Sequence, residues 1–243
     1  MRFSQAWTVA RHDMRQLLRK RGILAGLIGF PVGVGLGFPA LVGLLLTRGG
    51  PDPASWLPTY IEAFSFWFVI GAATLPNTIA AYSIVGEKVS KSLEPLLATP
   101  TTDGEILVGK ALAALLPSVL ALWVGSVLFQ VVIDAETAGT FGYLYFPNWT
   151  MAIELFVLVP LAALLAIEAS VIVSSHVTDI RSAQQYASVI FLPLIVVYVA
   201  SEILGLTTTT LLYIAGVFAL IVLVLYSVSI RTFHREEILT RWK

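Results

Sequence analysis

The 243-residue chain contains no cysteine. Disulfides, thiol nucleophiles and cysteine metal sites are therefore excluded. Histidine is nearly as scarce: His12, His176 and His234 are the three, and all fall outside the apolar stretches. Charged residues make up only 12%, about half the soluble norm of roughly 25%. Fifteen basic and fifteen acidic side chains cancel, so net charge gives no pull toward nucleic acid. Internal repeats, low-complexity tracts and domain-separating linkers are missing as well. The N-terminus does not read as a secretory signal, because its charged region and apolar segment are too long and no small-residue cleavage site follows cleanly. Without cysteine, histidine or closely paired acids in the apolar stretches, no catalytic constellation and no metal site is expected. The chain is not expected to be an enzyme.

Apolar residues fill the space, at 57% of the chain. They form six stretches: 22–46, 61–85, 111–133, 149–173, 189–206 and 211–230. A helix needs about 20 mostly apolar residues to cross the hydrocarbon layer, and almost every stretch has that length. In lipid the backbone must satisfy its own hydrogen bonds, so such runs are helices; barrel strands would alternate. Fourteen of the fifteen Lys and Arg fall on one side of these spans, with Arg48 alone on the other. That asymmetry places both termini in the cytoplasm. The fold expected is an all-α integral membrane protein of six transmembrane helices, multi-pass in the plasma membrane. A single domain covers 1–243: an interfacial segment 1–21, a bundle 22–230 and a cytoplasmic tail 231–243.

Residues 1–21 are amphipathic, with Phe3, Trp7, Ala10, Met14, Leu17 and Leu18 on one helical face. A basic helix of this kind lies in the membrane interface, either as a simple anchor or as an elbow that moves with the bundle. Gly22, Gly26, Gly29, Gly33 and Gly37 give span one small-xxx-small pairs, for packing within the bundle or against a second copy. Asn77, near the end of span two, serves an interhelical hydrogen bond or a substrate contact. Glu154 and Glu168 in span four and Glu202 in span five lie at membrane depth, where acids are functional candidates by default. The 14-residue separation of Glu154 and Glu168 places them on one face at opposite helix ends, each near water. Glu202 follows a short apolar run, which leaves open a span five that re-enters from the outer face. The outer loops 47–60 and 134–148 are rich in aromatics, as at a membrane interface. The glycosylation sequon at Asn148 abuts span four and reads as coincidence.

The longest cytoplasmic loop, 86–110, holds the most specific pattern. Ser92 caps a short helix with Leu93, Leu96 and Leu97 on one face, and Pro100 stops it. Thr102 and Glu105 form a capping box that starts the next helix. Such a helix either lies flat in the headgroups or buries its leucines in a protein partner. Gly104, Gly109 and Lys110 match the spacing of a Walker A loop, but Ala111 stands where the metal-binding hydroxyl belongs and no strand precedes it. ATP is therefore not bound there.

The same loop resembles that of the permease subunits of type-2 ATP-binding-cassette exporters. The match is carried by Glu87-Lys88, by Ser92-Leu93-Glu94-Pro95-Leu96-Leu97-Ala98-Thr99-Pro100, and by Glu105-Ile106-Leu107-Val108-Gly109-Lys110. Lys91 stands where the family usually has Gly, and Ser92 replaces Thr. The resemblance implies alternating access by two permeases, this chain and a second copy or homologue. A separate cytoplasmic ATPase, carrying ATP and Mg, would dock on a coupling helix formed by Glu87, Ser92, Leu93, Glu94, Leu96, Leu97, Thr99 and Pro100. Translocation-path candidates are Asn77, Glu154, Glu168 and Glu202. The alternative is an ion-coupled secondary transporter using the intramembrane glutamates. Against it, the chain shows no inverted repeat and no matched pair of broken helices.

Overall fold

The computed structural model describes residues 3–48, 52–89, 102–177, 179–189 and 208–232, with 191, 192, 195, 196 and 199 between the last two. Among the described residues every regular element is helical. In chain order these are α1 (Phe3–Leu17), α2 (Arg21–Thr47), α3 (Pro53–Val89) and α4 (Asp103–Phe141). They are followed by α5 (Trp149–Ile153), a π turn (Glu154–Leu158), α6 (Val159–His176), α7 (Ile180–Val189) and α8 (Thr208–Thr232). Five of the described helical segments are long and apolar enough to span a membrane: Arg21–Thr47, Pro53–Ser83, Gly104–Phe141, Trp149–Ser174 and Thr208–Ser229. The expected fifth span, 189–206, falls largely outside the described residues. Its helical approach begins earlier than Val189, because Asp179 caps α7: its Oδ2 accepts from the Ser182 N–H at 2.9 Å and the hydroxyl at 3.1 Å. Those bonds hold the Asp179 carboxyl below its usual range.

The helices are longer than the apolar stretches. α3 and α4 run into the 86–110 loop from both sides, leaving only 90–102 between them. α4 starts where the capping box was expected: Thr102 Oγ1 accepts from the Glu105 N–H at 3.3 Å, and Glu105 Oε2 accepts from the Thr102 N–H at 2.9 Å. It ends at Gly142, whose φ of 73° is the left-handed conformation that glycine adopts without a Cβ penalty. The loop expected over 134–148 thereby shrinks to 142–148. Asn148 closes it as a helix cap, its Oδ1 accepting from the Met151 N–H at 2.8 Å, which gives the sequon asparagine a structural role.

Helices in lipid gain little from hydrophobic exclusion and depend on close packing instead. α2 crosses α4 at such a point. A Cβ on Gly35 would stand 2.6 Å from the Gly125 carbonyl oxygen, and one on Gly125 would stand 2.5 Å from Pro31 Cβ. Deeper in the bundle Phe68 and Phe129, both fully buried, meet edge to face at 5.7 Å. By contrast, Gly29, Gly33 and Gly37 have open space where a Cβ would be, on the outward side of α2.

Candidate functional site

The apolar face of α1 divides: Ala10 and Leu17 are buried and Met14 and Leu18 pack beside them, while its N-terminal aromatics point outward. Phe3 and Trp7 are exposed, and the side that docks on α4 is Ala6, Val9, Ala10, Asp13 and Leu17. Two consecutive residues of α4 receive it. Gly109 allows the approach: a Cβ there would lie 2.8 Å from both the Ala6 carbonyl oxygen and Val9 Cβ. Lys110 then reaches across, with Nζ 3.1 Å from Asp13 Oδ2. The same ammonium donates to the Ser83 carbonyl and hydroxyl oxygens of α3, each at 3.2 Å. The Ser83 hydroxyl donates to Asp13 Oδ2 at 2.9 Å and closes the triangle.

All three side chains are buried. A buried ion pair repays its desolvation only when further hydrogen bonds complete it, and Ser83 supplies them. The result is a charged knot joining α1 to the ends of α3 and α4. Those ends are the two stems of segment 90–102. The run Gly104 to Lys110 is helical throughout, so its Walker-like spacing forms no phosphate-cradling loop. Its glycine and lysine serve the contact with α1 instead. Asp13 and Ser83 were not singled out from the sequence. A signal was present, since Asp13 is the one acid in a stripe of Ala6, Val9, Ala10 and Leu17 at helical spacing.

The proposed docking residues Ser92, Leu93, Glu94, Leu96, Leu97, Thr99 and Pro100 lie outside the described residues. Glu202 does too, and with it the re-entrant reading of span five. Glu87 belongs to α3 by its backbone alone. Asn77 is buried and joins α3 to α7: its Nδ2 donates to the Gln184 carbonyl at 3.0 Å and to Ser188 Oγ at 3.1 Å. This is the interhelical anchor.

Glu154 and Glu168 are both buried and do not share a face: the first bonds to α3 and the second to α8. The π turn at Glu154–Leu158 rotates one relative to the other, which an unbroken 3.6-residue period could not anticipate. Pro160 explains the wide turn, since it lacks an N–H and its ring crowds the carbonyl of Phe156. The turn frees the Leu155 carbonyl, which accepts from Trp123 Nε1 at 2.9 Å. Glu154, fully buried, accepts from the Ser65 hydroxyl at 2.7 Å. At the end of the spans away from the knot, the Tyr145 hydroxyl donates to Glu62 Oε1 at 3.2 Å. Burial, with the Glu62 carboxylate beside it, pushes the Tyr145 phenol well above its usual range and keeps it a donor. Glu168 faces elsewhere, bonded by Ser229 of α8 beside a cavity between α4, α6 and α8.

No curated protein matches the chain. The family model of the ABC-2 family transporter proteins matches residues 7–233, from within α1 to just past α8. A match of that extent takes in the docked α1, the knot on α3 and α4, and every span described, so the chain is a transmembrane transport protein belonging to the ABC-2 transporter family.

Proposed function

We propose that this chain is the permease subunit of an ATP-driven exporter. A separate cytoplasmic ATPase docks on residues 92–100, with Glu87 at the base of the docking segment, and ATP and Mg are bound by that partner. The observation that carries the reading is the Asp13–Ser83–Lys110 knot. It ties both stems of the docking segment to α1, so a push on the segment moves α1, α3 and α4 as one body. Both termini and the docking segment lie in the cytoplasm of the plasma membrane, on the side carrying fourteen of the fifteen basic residues.

Family membership supports a second permease in the assembly, a copy of this chain or a homologue. The outward glycines Gly29, Gly33 and Gly37 leave room for a close helix partner on α2. Substrate then passes between the two bundles by alternating access, with α1 as the interfacial elbow.

The test is co-purification with the candidate ATPase after Leu93→Asp or Leu97→Asp. Loss of the ATPase with normal membrane insertion is the expected result. Retention of the ATPase by both variants would remove segment 92–100 from its role.

A further inference from the structure

The cavity between α4, α6 and α8 has a volume of about 240 Å³. Its walls are almost wholly apolar, with Leu112, Leu115, Leu164 and Val222 among them. Against them stand Glu168, Tyr226 and Ser229. Glu168 is 7% exposed. The Ser229 hydroxyl bonds its carboxylate, while Oε2 has no hydrogen-bond partner among the described residues. An unpaired buried carboxylate oxygen is costly, and an apolar cavity of this size offers ordered water few other partners. The site therefore has a vacant hydrogen-bond acceptor beside a space larger than a single water needs.

We propose that this cavity is a binding site for a primary-amine amphiphile, whose ammonium group donates to Glu168 Oε2 while its alkyl body fills the apolar walls. The chemistry selects this class over others. A hard metal cation needs about six oxygen ligands, and the lining supplies one carboxylate and two hydroxyls. A carboxylate or phosphate would bring only further acceptor oxygens to Oε2 and leave it without a donor. A neutral alkane would leave Oε2 unpaired. Ser229 contributes its hydroxyl oxygen to the same polar end. Leu223, which lines the cavity, is 65% exposed on the outer face of α8. That face lies at membrane depth, so the ligand comes from the bilayer rather than from water. The assignment does not rest on ATP-driven export, and its test needs no ATPase.

The experiment uses the full chain in zwitterionic lipid nanodiscs and measures saturable binding of octylammonium, 1-octanol and octanoate at pH 7. Octylammonium is expected to bind at least tenfold more tightly than either comparator. Glu168→Gln, which keeps the shape and removes the charge, is expected to abolish that preference. Ala111→Phe, which fills the cavity from α4 and leaves Glu168 intact, is expected to abolish binding of both octylammonium and octanol. Equal binding of octylammonium and octanol by the unaltered protein would overturn the proposal, whatever the variants do. So would undiminished octylammonium preference in a folded Glu168→Gln variant.

Discussion

Asp13 and Lys110 are 97 residues apart in the chain, yet Oδ2 of one lies 3.1 Å from Nζ of the other with both side chains buried. Removing one partner leaves an uncompensated buried charge, which costs about 3–5 kcal/mol in buried pairs of this kind. Asp13→Leu and Lys110→Met are each expected to lower the unfolding temperature markedly. The double variant Asp13→Leu with Lys110→Met is expected to recover much of the loss, because apolar groups of similar volume replace the pair. Thermal unfolding in detergent measures all three. Additive losses would show that the two residues do not act as a pair.

Gly109 and Gly104 provide a matched contrast on one helix. A Cβ on Gly109 meets α1 at 2.8 Å, whereas one on Gly104 meets nothing within 4 Å. Gly109→Val is expected to pry α1 from α4 and expose it to limited proteolysis. Gly104→Ala is expected to leave the digestion pattern unchanged and to favour the helix slightly.

A third prediction concerns the wide turn in span four. Trp123→Phe keeps the ring but leaves the Leu155 carbonyl without its indole donor. Orphaning a buried acceptor costs about 1–3 kcal/mol. The expected outcome is a lowered unfolding temperature and a new accessibility at Leu155, read by hydrogen exchange around the turn. Exchange identical to the unaltered protein would show that the indole bond does not hold the turn.

Glu154 separates ATP-driven export from ion coupling. The Ser65 hydroxyl, one of its partners, can also bond an amide. Glu154→Gln is therefore expected to insert, fold and export substrate from ATP-loaded vesicles with an uncoupler present. Export that stops on adding the uncoupler, or in the Gln variant alone, would favour the secondary transporter.

On α2 the two glycine faces are expected to behave oppositely. Gly35→Leu should unfold the bundle, since the Gly125 backbone cannot yield. Gly33→Leu should leave the single chain as stable as before and shift the assembly toward one permease per particle, read by mass measurement in detergent.

What the sequence revealed was local or periodic. The capping box at Thr102 and Glu105 was legible because its two residues are three apart and satisfy each other. The long apolar helices were legible from composition. Asp13 was not, because a buried charge is decided by what stands opposite, and nothing in the spacing around Lys110 points to a residue 97 positions away. The docking of α1 on α4 is not legible for a related reason: its contact residues Ala6 and Val9 matter only because Gly109 stands opposite them. Glu154 and Glu168 were placed on a common face by a regular period that Pro160 and the π turn break. The cavity beside Glu168 needs three helices to enclose it, and no single segment encodes it.

The crossing at Gly35 and Gly125 has a mechanical consequence. α4 has 39 residues, so at 1.5 Å per residue it is a rod of about 58 Å, nearly twice the hydrocarbon thickness. Gly125 is where that rod presses backbone to backbone on α2, and it lies nearer the Gly142 end than the Thr102 end. A rod braced there behaves as a lever with its fulcrum off centre. Sideways travel imposed at Thr102 reappears at Gly142 in the opposite direction, reduced to roughly three-quarters by the ratio of the two arms at a constant rise per residue. Work done at the basic end is thus delivered to the aromatic loop on the far side as a shorter, more forceful stroke.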